Sequence, residues 1–353
     1  MPQYPEENLN QIKEVIINCP SWIGDAVMSL PAIKGMRENF PQAKITLLAN
    51  SWVAGLYKNL SFIDDIIFYS PKGVDRGLGG FIKAIGKIKK RKFELALLLQ
   101  NAFRPALLTW LAAVPHRWGY ATDGRGFLLT KAVPKDPQAQ QGHQVYYYLR
   151  MLQKLGLKPA APDIEIRLSP QQQERGRQLL ISQGLDLKKA VVGIHPGASY
   201  GEAKRWLPER FARLADRLIG EEGLQVIFFG AQQEFPLVER IVSQMRYTPF
   251  ILVGKTDLEE LMSTISFCNI FIVNDSGPMH LAAALGTPLI AIFGPTDEKQ
   301  TSPLGKGHLV IKKPFPCSPC SHRICPLDHR CMTAISVEEV YKAALNKIGI
   351  RQS

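Results

Sequence analysis

Two successive α/β units, each a parallel sheet covered on both faces by helices, are what this 353-residue sequence predicts. Short apolar, β-rich runs alternate with longer stretches of three- and four-residue apolar spacing, the order of a strand–helix–strand fold. The alternation begins afresh after Leu168, so the units are expected at 1–168 and 169–353. The length agrees, at roughly 150 residues per domain.

In the first half, residues 15–19 read as a buried strand followed by a helix over 24–40, apolar at helical spacing. Strands are expected at 44–49, 65–69 and 93–99, and helices at 51–60, 81–90, 104–114 and 143–155. In the second half, strands fall at 190–195, 225–229, 271–274 and 289–293. Helices separate them at 171–183, 208–222, 235–245, 258–268 and 278–285, and 336–348 reads as a final amphipathic helix able to pack on either unit. In such sheets ligands gather beyond the carboxyl ends of the strands. Chemistry is therefore expected in loops 20–25, 196–205, 230–234, 274–280 and 294–297.

The composition is that of an ordinary folded protein, with 46% hydrophobic and 21% charged residues. No apolar run approaches the roughly 20 residues that span a bilayer, and Met1 to Glu14 is polar and mixed in charge, unlike a signal peptide or anchor. A soluble, intracellular protein is the expectation. The net charge of +12 is concentrated in the first half, where 22 Lys/Arg stand against 13 Asp/Glu. That asymmetry suggests a polyanionic partner: a phosphorylated substrate, a membrane surface or nucleic acid. No GxxxxGK[ST] loop, no GxGxxG after a strand and no GxSxG elbow occurs, which argues against a nucleotide hydrolase, a nicotinamide-dependent dehydrogenase and a serine hydrolase.

Trp22-Ile23-Gly24-Asp25 follows the first strand and opens the first helix. Gly24 allows close backbone approach. Asp25 is either a helix-capping acid or a carboxylate placed to accept a proton from a hydroxyl. His195-Pro196-Gly197-Ala198-Ser199, followed by Lys204-Arg205-Trp206, forms a flexible loop ending in adjacent cations, which suits a diphosphate better than a helix start. In Asn274-Asp275-Ser276-Gly277-Pro278-Met279-His280 a buried strand turns into a helix whose first N–H groups make an anion site. Asp275 there could hold ribose or sugar hydroxyls, and His280 is either a ligand contact or a core histidine. Cys317, Cys320, Cys325 and Cys331 are spaced closely enough for one structural metal, though not as in a standard zinc ribbon, and reduced thiols in a loop are the alternative. Lys83, Lys87 and residues 89–92 form a basic run, either a solvated face or a docking surface for phosphates or an anionic leaflet. Aromatics do not interleave with it as a single-strand nucleic-acid platform requires.

Taken together, these residues resemble the ADP-heptose–lipopolysaccharide heptosyltransferases, glycosyltransferase family 9, over nearly the whole chain. The Cys325-Pro326-Leu327 stretch is most similar to the second of that family's heptosyltransferases. The resemblance implies a GT-B fold of two Rossmann-like domains facing across a cleft, acceptor on the first and nucleotide sugar on the second. It implies an inverting transferase with no cofactor and no catalytic metal. Asp25 matches the family's general base and Lys204 its diphosphate-binding lysine. Asp275, Gly277 and His280 match donor contacts, with Ser199, Arg205, Glu234 and Ser276 as further donor-side residues. Trp22, Gly24, Lys83 and Lys87 fall on the acceptor side. Expected partners are ADP-heptose, the lipopolysaccharide inner core and, peripherally, the cytoplasmic face of the inner membrane, without nucleic acid. Rival readings are a relative using a different acceptor, a non-catalytic nucleic-acid-binding protein with a metal knuckle, and a sugar-nucleotide enzyme that needs no acceptor.

Overall fold

A computed structural model describes residues 11–135 and 142–349. The first ten residues of the polar N-terminal stretch therefore lie outside the described residues. The chain divides into two compact units, 1–164 and 165–353. Division four residues before Leu168 has a simple cause: the Ile166 N–H donates to the Ala284 carbonyl (2.8 Å), already inside the second unit.

The first unit runs β1 (Glu14–Asn18), α1 (Ile23–Met28), α2 (Leu30–Asn39), β2 (Lys44–Ala49), β3 (Asp65–Phe68) and α3 (Gly77–Lys90). It continues through β4 (Leu95–Leu98), α4 (Phe103–Leu111), β5 (His116–Tyr120), β6 (Lys131–Val133) and α5 (Gln144–Lys154). Its six strands are ordered β3-β2-β1-β4-β5-β6. All neighbours are parallel. This is the doubly wound Rossmann order, with its switch between β1 and β4.

The second unit runs α6 (Pro170–Ser182), β7 (Val191–His195), α7 (Pro208–Gly220), β8 (Gln225–Phe228), α8 (Phe235–Val242), β9 (Phe250–Ile251) and α9 (Leu258–Ile265). Then come β10 (Ile270–Asn274), α10 (Gly277–Ala284), β11 (Leu289–Phe293), α11 (Glu298–Thr301), β12 (Leu309–Lys312), α12 (Arg330–Thr333) and α13 (Val337–Ile348). The order β12-β11-β10-β7-β8-β9 repeats the first unit's topology, with the switch between β7 and β10. Alternate residues of these strands feed two cores. Val192, Ile194, Phe228, Ile270 and Ile272 pack under α7 and α13, while Val191, Ile227, Phe229, Phe271 and Val273 face α6, α9 and α10. Full burial of each such side chain contributes about 1.5–3 kcal/mol. The closing helix α13 adds Val340, Tyr341, Ala344 and Leu345 to the first of these cores, so it belongs to the second unit.

Three local expectations differ from what forms. The helix expected over 24–40 is two helices, because Pro31 has no N–H to continue the ladder and Ser29 turns its hydroxyl onto the Ala26 carbonyl (2.8 Å). The helix expected over 51–60 is a chain of turns around a single 3-10 turn, Ala54–Leu56. Its entry is held instead by Ser51, whose N–H and hydroxyl meet the Ser70 hydroxyl at 3.2 and 2.9 Å. Strands β5, β6, β9 and β12 were not expected; β6 and β9 span three and two residues, too few to show a period. No helix among the described residues is long and apolar enough to cross a membrane.

Candidate active site

Parallel topology sends four loops of the second unit to one sheet edge, those after β7, β8, β10 and β11. Polar side chains knit them together. Lys204 Nζ lies 2.6 Å from Asp275 Oδ2, and both side chains are nearly buried, at 12% and 4% exposure. The Thr296 hydroxyl donates to the same oxygen at 2.7 Å. Asp275, expected to hold sugar hydroxyls, thus has one oxygen committed to positioning the lysine. Asn274 braces the β7 loop from below, accepting from the Trp206 N–H (3.0 Å) and donating to the Pro196 carbonyl (2.8 Å).

Beside this pair α10 begins. Ser276 is its N-cap in extended conformation, yet caps nothing: its Oγ is buried and has no hydrogen-bond partner. Gly277 and Pro278 open the first turn. Unspent N–H groups at a helix start carry roughly half a positive charge, so α10 and Lys204 present two fixed positive centres on one edge. That arrangement suits a diphosphate that gains charge as its bond to a sugar breaks. His280 is buried in the same first turns, and Ser199 is exposed on the β7 loop. Arg205 Nη2 reaches the Ala198 carbonyl at 3.5 Å, leaving its buried Nε without a partner.

Glu234, from the β8 loop, is built into the wall of the site. Its carboxylate meets His195 Nε2 at 3.3 Å and accepts the Ala231 N–H at 2.8 Å. Gly197 accommodates this packing, since a Cβ there would stand 1.8 Å from Glu234 Oε1 and would push the carboxylate aside. Burial alone would raise the Glu234 pKa; the hydrogen bond and charge of His195, the Ala231 N–H and the charge of Arg205 outweigh it and hold the pKa below its ordinary 4.5. A carboxyl depressed by folding adds stability above its unfolded pKa, roughly 4.3, and loses it as pH falls through the lower folded value. Thermal melts of Glu234→Gln should accordingly fall below wild type at neutral pH, with the gap closing as pH drops below about 4. A gap that widened in acid would assign the depression to some other group.

A segment that sequence reasoning treated only as a cysteine cluster clasps these loops. Arg323 supplies a carbonyl to the Ala203 N–H at 3.0 Å, and His329 Nε2 meets the Ala203 carbonyl at 2.8 Å. Tyr200 Oη donates to the Ser321 carbonyl (2.7 Å), while the Lys204 ammonium and the Arg323 guanidinium both lie over its ring, at 4.8 and 5.3 Å. On the other side the Cys320 and Ser321 N–H groups reach the Pro295 carbonyl at 2.8 Å. Gly201 lets the strap close, because a Cβ there would meet the Arg323 carbonyl oxygen at 2.3 Å. Cys317, Cys320, Cys325 and Cys331 line one cavity of about 210 Å³ beneath the strap. All four are free thiols. Among the described residues no three His, Cys, Asp or Glu side chains are gathered as a metal requires. The strap's visible work is mechanical. His329→Asn, which keeps the left-handed backbone (φ 56°) but cannot span to Ala203, should cost about 1 kcal/mol of loop order. Titration should then show donor affinity roughly fivefold weaker; unchanged affinity would make the contact incidental.

In the first unit, the loop after β1 carries Trp22, which is exposed, and α1. Trp22 itself occupies the cap position without a side-chain cap bond, and Asp25 is the third residue of the helix, an acid in its first turn. The Tyr148 hydroxyl of α5 reaches Asp25 Oδ1 at 3.4 Å. Burial, and then the neighbouring carboxylate, push the Tyr148 pKa well above its ordinary value, so the phenol stays protonated and faces Asp25 as a donor. Sequence reasoning missed Tyr148, one of three successive tyrosines whose helical phase decides which reaches Asp25. It also missed Arg125, fully buried and donating to the carbonyls of Tyr120 (2.9 Å) and Ala102 (3.2 Å), which pins the ends of β4 and β5. Burial pulls its pKa down to about 10. Lys83 and Lys87 are exposed on α3. Lys87 lies near the helix end that leads into β4, the sheet edge opposite to the one that carries Asp25.

Residues 82–330 match the family model of glycosyltransferase family 9 (heptosyltransferase). The chain belongs to that family. It is a glycosyltransferase, and its two doubly wound units are the family's GT-B architecture. Lipopolysaccharide heptosyltransferase 2 of Salmonella typhimurium is 31% identical over 85% of this chain and 88% of its own. Lipooligosaccharide heptosyltransferase 2 of Campylobacter jejuni is 29% identical over 94% and 98%. Among solved structures, Escherichia coli ADP-heptose LPS heptosyltransferase II superposes with a TM-score of 0.80 at 26% identity, over 95% of this chain and 98% of that one. A family 9 glycosyltransferase from Veillonella parvula gives 0.85 at 25%, over 96% and 98%.

Proposed function

We propose that this family 9 glycosyltransferase moves heptose from ADP-heptose onto the heptosylated Kdo2-lipid A inner core of lipopolysaccharide, as heptosyltransferase II does. The observation that carries the reading is the buried Lys204–Asp275 pair beside the uncapped start of α10, a ready seat for a departing nucleoside diphosphate, in a chain similar over 85% and 94% of its length to two heptosyltransferases 2. The first unit takes the acceptor and the second the donor. A cytoplasmic enzyme in peripheral contact with the membrane is part of the same reading.

The reaction is a single displacement with inversion. Asp25 accepts the proton of an acceptor hydroxyl while that oxygen forms a bond to the anomeric carbon of the donor. The bond from that carbon to the ADP oxygen breaks, and its electron pair leaves with the β-phosphate. Lys204 and the α10 N–H groups stabilise the charge gathered there, with the Ser276 hydroxyl as a further donor. Tyr148 holds Asp25 in place, and Asp275 and Thr296 hold Lys204. Calorimetric titration tests the donor half: ADP-heptose and ADP should bind, and a uridine-diphosphate sugar should bind far more weakly. Equal binding of all three would remove ADP-heptose as the donor.

A further inference from the structure

We propose that the first unit docks on an anionic lipid bilayer through the loop that follows β3 and the outer face of α3. The proposal rests on the reading that the acceptor is lipid-anchored, and it names the surface that meets the lipid. Val74, Leu78 and Ile82 are 92%, 73% and 58% exposed, although the same helix buries Ala84 and Ile88 in the core. At about 100° per residue Leu78 and Ile82 share one narrow stripe, and Lys83, Lys87 and Lys90 share the neighbouring sector. All three lysines are exposed, as are Lys72 and Arg76 before the helix. α3 carries no acidic residue. The one acid of the loop, Asp75, turns its carboxylate inward to the Ser70 N–H at 2.9 Å.

The loop is built to hold this surface. The Asp75 N–H returns to the Ser70 carbonyl (3.1 Å) and the Arg76 N–H to the Gly73 carbonyl (3.1 Å). A Cβ at Gly80 would stand 2.3 Å from the Asp75 carbonyl oxygen, so glycine there lets the loop lie against the helix. Aliphatic side chains flanked by lysines fit a bilayer, which takes the apolar groups below its headgroups and the cations among them. Protein interfaces instead favour aromatic residues and arginine and are depleted in lysine. The loop lies at the carboxyl edge of the first sheet, the edge that also carries Asp25, while Lys87 and Lys90 lie at the far end of α3.

Co-sedimentation of the full chain with vesicles tests this, using phosphatidylcholine alone and phosphatidylcholine with phosphatidylglycerol. Wild type should pellet with the anionic vesicles and be released by salt. The triple variant Val74→Ser, Leu78→Ser, Ile82→Ser should bind at least tenfold more weakly, with an unchanged melting temperature and unchanged transfer to a de-acylated acceptor. Lys83→Glu with Lys87→Glu should lose binding to the anionic vesicles too. Wild type that ignores anionic vesicles, or a triple variant that binds them as wild type does, would overturn the proposal. So would salt-sensitive binding to nucleic acid in place of lipid. Vesicle binding needs no donor, and transfer to a de-acylated acceptor needs no membrane, so this proposal and the heptosyltransferase reading fail separately.

Discussion

Asp25→Asn is expected to lower turnover by roughly 10²–10⁴-fold while donor affinity stays at the wild-type value. The substitution keeps the size of the side chain and an oxygen for the Tyr148 hydroxyl at 3.4 Å, so α1 and its packing on α5 survive. What disappears is a group able to take a proton. Asp25 stands in the first turn of α1, where the helix dipole favours a negative charge. Donor titration alongside single-turnover transfer separates the two effects. An Asn variant with wild-type turnover would remove Asp25 from the mechanism, and lost donor binding would give it a different role.

Lys204→Met should be as damaging, and in two ways at once. It removes the point charge opposite the leaving diphosphate, a loss of roughly 10²–10³-fold in turnover by analogy with other oxyanion donors. It also leaves Asp275, 4% exposed, as a buried carboxylate without its cation, at a stability cost of about 3–5 kcal/mol. Adding Asp275→Asn to that variant should recover most of the stability and none of the turnover. Melting temperature and single-turnover rate, measured on both variants, keep the electrostatic role apart from the structural one. If the double variant regained activity, the lysine would matter only as a partner for the aspartate.

Much of this was legible because parallel sheets write themselves plainly. Strands β1, β7, β10 and β11 are buried on both faces and read as unbroken apolar runs. Their carboxyl ends had to carry the loops with Asp25, Lys204, Asp275 and Thr296. Strand β5, His116–Tyr120, was hidden because its polar side chains are satisfied by tertiary bonds, as when Arg117 Nε donates to the Leu128 carbonyl at 2.7 Å. Roles were less visible than places. Whether Asp275 faces a sugar or a lysine depends on a contact 71 residues away in the chain, which no local pattern encodes. The strap over Ala203 and Pro295 was equally unreadable, since it works through backbone carbonyls and a histidine.

The reaction itself is the most direct test. Purified protein, ADP-heptose and heptosyl-Kdo2-lipid A should give a product heavier by one heptose in the mass spectrum, and Kdo2-lipid A in its place should give none. Transfer to Kdo2-lipid A instead, or no transfer from ADP-heptose to either, would contradict the assignment to the second heptosylation of the inner core.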